Sequence, residues 1–422
     1  MSKKIILLML IIFYSISQSI AQLSINAQIR PRAEYRYGYK QLPSINTDPA
    51  FFISQRSRMN LDFENEKLIF KISLQDVRIW GDETQQLDMP SASIHEALAE
   101  WKMNEKIHLR VGRQELVYDD HRLFGNADWV QQARSHDAAV LKFFCDKWKF
   151  DFGAAYNQES ENLFGSSYSL NNYKLLAFGR ANSKFGEHAE LSLIAATDGF
   201  QSASDEHVLY VQATGGGNFI FIKPKFNFTA TAFYQTGHNK TGKEKSAQLA
   251  SFLFNFTPNE KHIISAGADF LSGDDATDSA DVIDNTFNTL YATNHKFYGW
   301  MDYFLNIPAD TKNGGLINAM LKYKFKASKK VTLQLDYHNF SLNGKVFDDA
   351  DQTKTLDAAL GSEFDAVINY QASPDINFQL GYSLMFGTES MAKLKGGDSD
   401  ILGNWGWAQI NFSPILFTSK SD

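Results

Sequence analysis

The chain has 422 residues, a net charge of -7, 44% hydrophobic and 14% aromatic residues, nine prolines and one cysteine. One cysteine excludes a disulfide framework and any multi-cysteine metal site, the few prolines exclude a linker-rich chain, and the acidic balance excludes a nucleic-acid footprint. Length alone suggests two or three domains; a mean hydropathy below zero argues against helical spans but not against a barrel, whose lipid face takes only every second residue.

Lys3 and Lys4 precede an apolar run, Ile5 to Tyr14, and Ser19-Ile20-Ala21 offers the small residues that signal peptidase reads. The sequence therefore predicts a signal peptide over residues 1–21 and one domain over residues 22–422. Cys145 lies far from this site, so no lipoprotein signal is present. The leader takes two lysines and no acids with it, which leaves the mature chain more acidic. No later stretch approaches the ~20 apolar residues of a membrane helix. The mature chain is either soluble and exported or a β-barrel.

Period-two alternation decides between these. Arg30, Arg32 and Arg36 share one parity on the first strand, and Arg56 and Arg58 share one on the second. Met59, Leu61 and Phe63 alternate with Asn60, Asp62 and Glu64. The same pattern recurs over Trp148–Tyr156, Leu321–Ala327, Val331–Tyr337 and Ile376–Phe386. Side chains on a strand point alternately to opposite faces, so each segment has one apolar and one polar face. Short turns are expected at Glu64–Lys67, Met103–Lys106, Cys145–Lys147, Ser183–Glu187, Gly215–Asn218, Pro258–Glu260, Ala327–Lys330 and Ser373–Asp375. They alternate with long loops, among them Leu116–Arg134, Gly237–Lys245 and Ser272–Gly315. The expectation is an all-β, antiparallel up-and-down transmembrane β-barrel of about 18 strands in the bacterial outer membrane. A secreted sandwich or propeller would show shorter, more evenly looped strands.

With the apolar face toward lipid, the bases point inward, because Arg or Lys facing mid-bilayer costs about 2–4 kcal/mol. Such bases either form a track for anions or pair with acids such as Glu34, Asp62 and Glu64. Gly215-Gly216-Gly217 lacks the residues of a phosphate loop and reads as a turn. Asp274, Asp275, Asp278, Asp281 and Asp284 read as a solvated loop rather than a calcium site. Tyr291, Phe297, Tyr298 and Trp300 suit either anchoring at the bilayer interface, the preferred reading, or stacking on sugar rings, and the last segment with Trp405, Trp407, Ile410 and Phe412 suits the interface. His95, His121, His136 and His295 are dispersed, and no nucleophile or ATP motif occurs, so neither an enzyme nor a cofactor is expected.

One segment is more distinctive. Gly112-Arg113-Gln114 ends a strand, and Asp120, Arg122-Leu123, Trp129, Arg134 and Asp137 follow in a polar loop. A second stretch carries His295-Lys296-Phe297-Tyr298-Gly299, Met301-Asp302 and Phe304. Together they resemble the alginate-export family of outer-membrane porins. The resemblance implies a monomeric 18-strand barrel, embedded in outer-membrane lipid, with an electropositive constriction for anionic polysaccharide. It also implies periplasmic polysaccharide-export components as partners. On this reading Arg113, Arg122 and Arg134 form the constriction, Asp120 and Asp137 orient them, and Arg32, Arg36, Arg56 and Arg58 extend the path. Arg113 and Arg134 acting as internal braces is the structural alternative. A general anion or small-solute porin, and a plugged barrel whose loops bind a surface ligand, are the other functions the pattern allows.

Overall fold

A strand with one apolar and one polar face has to bury one and leave the other in a matching solvent. This chain does so by closing its sheet on itself. The computed structural model describes residues 21–87, 91–278 and 282–419. All but the last residue of the expected signal peptide lies outside them.

The first nine barrel strands are β1 (Gln22–Tyr37), β2 (Ala50–Glu64), β3 (Leu68–Ile79), β4 (Ser93–Lys102), β5 (Ile107–Gln114), β6 (His136–Phe144), β7 (Trp148–Tyr156), β8 (Leu175–Phe185) and β9 (Ala189–Gln201). The second nine are β10 (Leu209–Ile222), β11 (Phe226–His238), β12 (Glu244–Asn259), β13 (His262–Leu271), β14 (Leu316–Lys326), β15 (Val331–Ser341), β16 (Ala359–Ser373), β17 (Ile376–Gly387) and β18 (Gly403–Phe412). Each pairs antiparallel with its neighbour in sequence, and β1 pairs with β18, Arg36 opposite Trp405 and Ile29 opposite Phe412. Beyond Pro414, Ile415–Thr418 extends this seam against Ser24–Asn26. Closure leaves no unpaired backbone edge in lipid, which is what lets a sheet span a bilayer. The length-based estimate of two or three domains gives way to one barrel.

Parity sorts the faces as the alternation predicts. On β1, Arg30, Arg32 and Glu34 are buried while Ile29 and Tyr35 are exposed. Met59, Phe152, Leu193, Leu321, Leu380 and Phe386 are likewise exposed on the outer surface. An apolar belt of this extent is foreign to a soluble monomer and suits lipid. No helix among the described residues is long and apolar enough to cross a membrane.

The short turns lie at the end that carries both termini. Local hydrogen bonds make them: Asn65 Oδ1 accepts from the backbone N–H of Lys67 and Leu68, and Asn104 Oδ1 accepts from that of Lys106. Seven of the eight expected turns fall where strands end, and the exception is instructive. Gly215-Gly216-Gly217 lies within β10, not in a turn. A Cβ on Gly216 would stand 2.0 Å from the Ala232 carbonyl oxygen, and one on Gly217 2.6 Å from that of Ser192. The glycines allow close approach of the flanking strands, and the turn is at Lys223-Pro224-Lys225. The expected long loop Gly237–Lys245 shrinks to residues 239–243.

Two long segments, residues 115–135 and 284–315, fold into the lumen. The first reaches Arg180 of β8 through Asp119, Thr231 of β11 through Asp120, and Gln75 of β3 through the Gln132 carbonyl. The second reaches Gln235 of β11, Asn318 of β14 and Glu363 of β16. They join each other along Tyr291–Leu123 and Thr293–His121 backbone bonds. Phe297 and Tyr298 are therefore buried inside the barrel, not at the bilayer interface. Trp405 and Trp407 also point inward, because they share the parity of Gln409, and only Ile410 and Phe412 face outward. The acidic loop is not simply solvated: Asp274, Asp275 and Asp284 pair with Lys243, Lys345 and Lys245. Asp281 lies outside the described residues.

Candidate functional site

The site is built where the first inward loop meets β1 and β2. In the β1–β2 register Arg30 stands directly opposite Arg56, and Gln28 opposite Arg58. Like charges placed so repel. Asp128 of the loop resolves this by lying between them, with Oδ2 3.1 Å from Arg30 Nη1 and Oδ1 2.7 Å from Arg56 Nη1. Burial acts against the Asp128 carboxylate, but the Arg56 and Arg30 guanidiniums outweigh it and hold its pKa below the ordinary value. Gln131 adds to the clamp, accepting from Arg30 Nε at 3.1 Å and donating to Ser54 Oγ at 3.0 Å. The backbone is tailored to this wedge: Ala127 and Ala133, on either side of it, adopt left-handed φ of 49° and 57°. Non-glycine residues hold such angles only when their surroundings over-determine them.

Next along β1, Arg32 donates to Glu34 Oε1 and to the Trp129 carbonyl, with its guanidinium 4.0 Å from the Trp129 ring centre. Arg36 donates to Glu34 Oε2 and lies over Tyr39. Arg58 has no carboxylate partner among the described residues and donates to Gln75 Oε1. Arg30, Arg32, Arg36 and Arg56 thus share two carboxylates, Glu34 and Asp128, Arg58 pairs with neither, and the arc is net positive. Further round the same side of the wall, beyond β18 and β17, Asp336, Glu363 and Asp365 line β15 and β16, with Lys322 3.2 Å from Asp336.

The other expected site residues do not converge. Arg122 is fully enclosed between Asp120 and Asp269, at 3.3 and 2.7 Å, and lies 3.9 Å over the Phe297 ring. It braces the two inward loops. Arg134 donates to the Gly125 and Ala292 carbonyls, and desolvation by burial lowers its pKa. Arg113 pairs with Asp137 at 3.0 Å, but both have the outward parity of Val111, and their side chains are 44% and 64% exposed. That pair therefore sits outside the lumen, contrary to the expectation of a constriction there, because Gln114 and His136 take the inward positions. Sequence reasoning missed Asp128 as the bridging acid, although it stands beside Trp129 in the distinctive segment. It also left Arg30 off the path, although its parity with Arg32 was visible.

Two cavities flank the Asp128–Gln132 wedge. The one toward the long loops, about 400 Å³, is lined by Arg32, Arg36, Lys40 and Glu34. The one toward the short turns, about 470 Å³, is lined by Arg30, Asp128, Lys322, Trp129, Trp300 and several amides. Trp129 stacks on His295 at 4.5 Å, and His295 Nδ1 is 2.6 Å from Asp302. Among the described residues, one group could hold a cation. A bulge in β4 turns both His95 and Glu96 inward beside Glu115, with ligand atoms within 4.8 Å. Lys71 and His95 already pair with these two carboxylates.

A closed 18-strand barrel with an apolar belt, short turns at the terminal end and two loops folded into a charged lumen is an outer-membrane porin. The family model for alginate export matches residues 21–400, and the chain belongs to that family. No curated protein matches it in sequence. Among solved structures it is similar to OccAB1 of Acinetobacter baumannii, with a TM-score of 0.65 and 12% identity over 96% of this chain and 99% of that one. It is also similar to OprD of Pseudomonas aeruginosa, with a TM-score of 0.61 and 12% identity over 93% and 94%. The Pseudomonas aeruginosa OpdK structure with vanillate gives 0.60 and 11% over 94% and 99%. At these identities the likeness is one of fold.

Proposed function

We propose that this porin passes an anionic polysaccharide, an alginate-like uronate polymer, outward through its arginine-lined lumen. The observation that carries the reading is the β1–β2 arc, where four arginines share two carboxylates and Arg58 stands beside them with an amide partner. A ring of positive charge in a low-dielectric wall attracts carboxylates, and weak, repeated contacts let a polymer slide. Porin architecture supplies the path, and the concentration gradient or upstream polymerisation supplies the drive. The protein works as a monomer beside periplasmic export components, without a cofactor or catalysis. Reversal potentials in a salt gradient test the sign of selectivity, and added oligouronate tests the polymer. Anion preference with oligouronate block is expected; cation preference would remove the basis of the proposal.

A second reading has its own support. The wedge leaves chambers of 400 and 470 Å³, which suit a small carboxylate or a short saccharide better than an extended chain. A general anion or small-solute porin would show anion preference without oligouronate block. A plugged, surface-binding barrel would show no conductance.

A further inference from the structure

The chamber on the short-turn side contains chemistry that an anion path does not use. Six buried polar atoms around it have no hydrogen-bond partner: Trp129 Nε1, His295 Nε2, Asp336 Oδ1, Trp407 Nε1, Gln409 Oε1 and Asn411 Oδ1. Five belong to side chains that line the chamber, and Trp407 packs on its two indoles, 4.8 Å from Trp129 and 6.1 Å from Trp300. Asp336, Trp407 and Gln409 are each at least nine-tenths buried. Leaving such groups unpaired is unfavourable, so a cluster of them in one chamber calls for a guest.

The register explains why the orphans gather here. Asn369, Gln379 and Gln409 face one another on β16, β17 and β18, and Gln409 faces Arg32 on β1. Gln409 donates to Gln379 Oε1 at 3.0 Å, and Gln379 donates to Asn369 Oδ1 at 3.1 Å. The donors are consumed along this ladder, and the Gln409 carbonyl is left over at its end.

The unpaired set narrows the guest to a hydroxyl that both donates and accepts, that of water or of a polyol. A carboxylate only accepts hydrogen bonds, so it cannot satisfy the Gln409, Asn411 and Asp336 oxygens. A metal ion cannot use an indole N–H. A hydroxyl does both, donating to those oxygens and accepting from the indoles. The apolar C–H face of a sugar ring fits an aromatic surface, here Trp300, since Arg32 and His295 already cover the Trp129 ring. We infer that the short-turn-side chamber is a saccharide-binding subsite that holds a pyranose ring through its hydroxyls and its C–H face, independently of any carboxylate. It rests on the polysaccharide reading for the class of ligand alone. The orphaned atoms are covered by their neighbours, so entry requires rotamer changes of the kind common at binding surfaces.

The test uses the purified full-length barrel and neutral hexose trisaccharides of gluco, manno and galacto configuration. Binding is read by intrinsic tryptophan fluorescence in detergent, and block by single-channel recording with sugar added from each side. At least one neutral trisaccharide should shift the fluorescence and block more strongly from the short-turn side. Gln409→Leu with Asn411→Leu should weaken binding about tenfold or more. Trp300→Ala, in a loop rather than the wall, should do the same and serves if the double variant does not assemble. Absence of any fluorescence change, or affinities unaltered in the variants, would overturn the subsite. Parallel oligouronate titrations keep the two ideas apart. Neutral sugar binding without a uronate response retains the subsite and removes the polyanion path; the converse removes the subsite.

Discussion

Asp128→Asn is the most informative single change. It keeps the shape of the side chain and removes the one carboxylate that both Arg30 and Arg56 contact. A hydrogen bond to a charged group contributes about 1.5–3 kcal/mol when well shielded. The Asp128 side chain is 47% exposed, so solvent screening reduces each bond to about 1 kcal/mol. Two bonds give a loss of about 2 kcal/mol in wedge docking, a shift of about 30-fold toward the undocked loop. Arg30 and Arg56, opposed in register, also regain their mutual repulsion. Single-channel recording should show more frequent transitions to larger conductance, together with stronger anion preference from the lost negative charge. The barrel itself should remain intact, as judged by its heat-modifiable electrophoretic mobility. Unchanged conductance noise with unchanged selectivity would refute the idea that this clamp holds the wedge.

Three further outcomes follow from the same geometry. The Asp128 pKa is depressed below its ordinary 3.8, so its stabilisation is complete above that value and is lost only as pH falls through the folded pKa; channel noise should be flat at pH 5 and rise below about pH 4. Arg122→Met leaves Asp269 enclosed without its cation, which should cost about 3–5 kcal/mol in thermal or denaturant unfolding, and Asp269→Asn added to it should recover much of that. Arg113→Ala should leave ion selectivity at the wild-type level in reversal-potential measurements, since its pair with Asp137 lies on the outer face.

Strand number, closure and the wall parity of Arg30, Arg32, Arg36, Arg56 and Arg58 were legible because a two-residue period is local and survives any register. The Gly215-Gly216-Gly217 run misled because glycine serves turns and close strand approach equally well. Only the neighbours Ala232 and Ser192, distant in sequence, distinguish the two. The site was legible in part. The segment around Asp120, Arg122 and Trp129 was singled out, yet its partners Asp269, Arg30 and Trp405 are far along the chain. Parity at a strand end was the weakest guide: Arg113 and Arg110 are both basic, and only Arg110 turns inward, to Glu100. The indoles of the last strand look like interface residues by composition, whereas the register of Trp405 with Arg36 places them in the lumen.

The wedge has a further consequence for how the molecule comes together. Its seat is shared between the two ends of the chain: Asp128 contacts β1 and β2, while Trp129 contacts Arg32 on β1 and Trp405 and Trp407 on β18. The β1–β18 pairing is the most non-local in the sheet and so carries the largest loop-closure entropy. Until that seam zips, half of the surface that receives Trp129 does not exist. Docking of the wedge is therefore expected only once the barrel has closed, and an unfinished barrel would carry the wedge undocked.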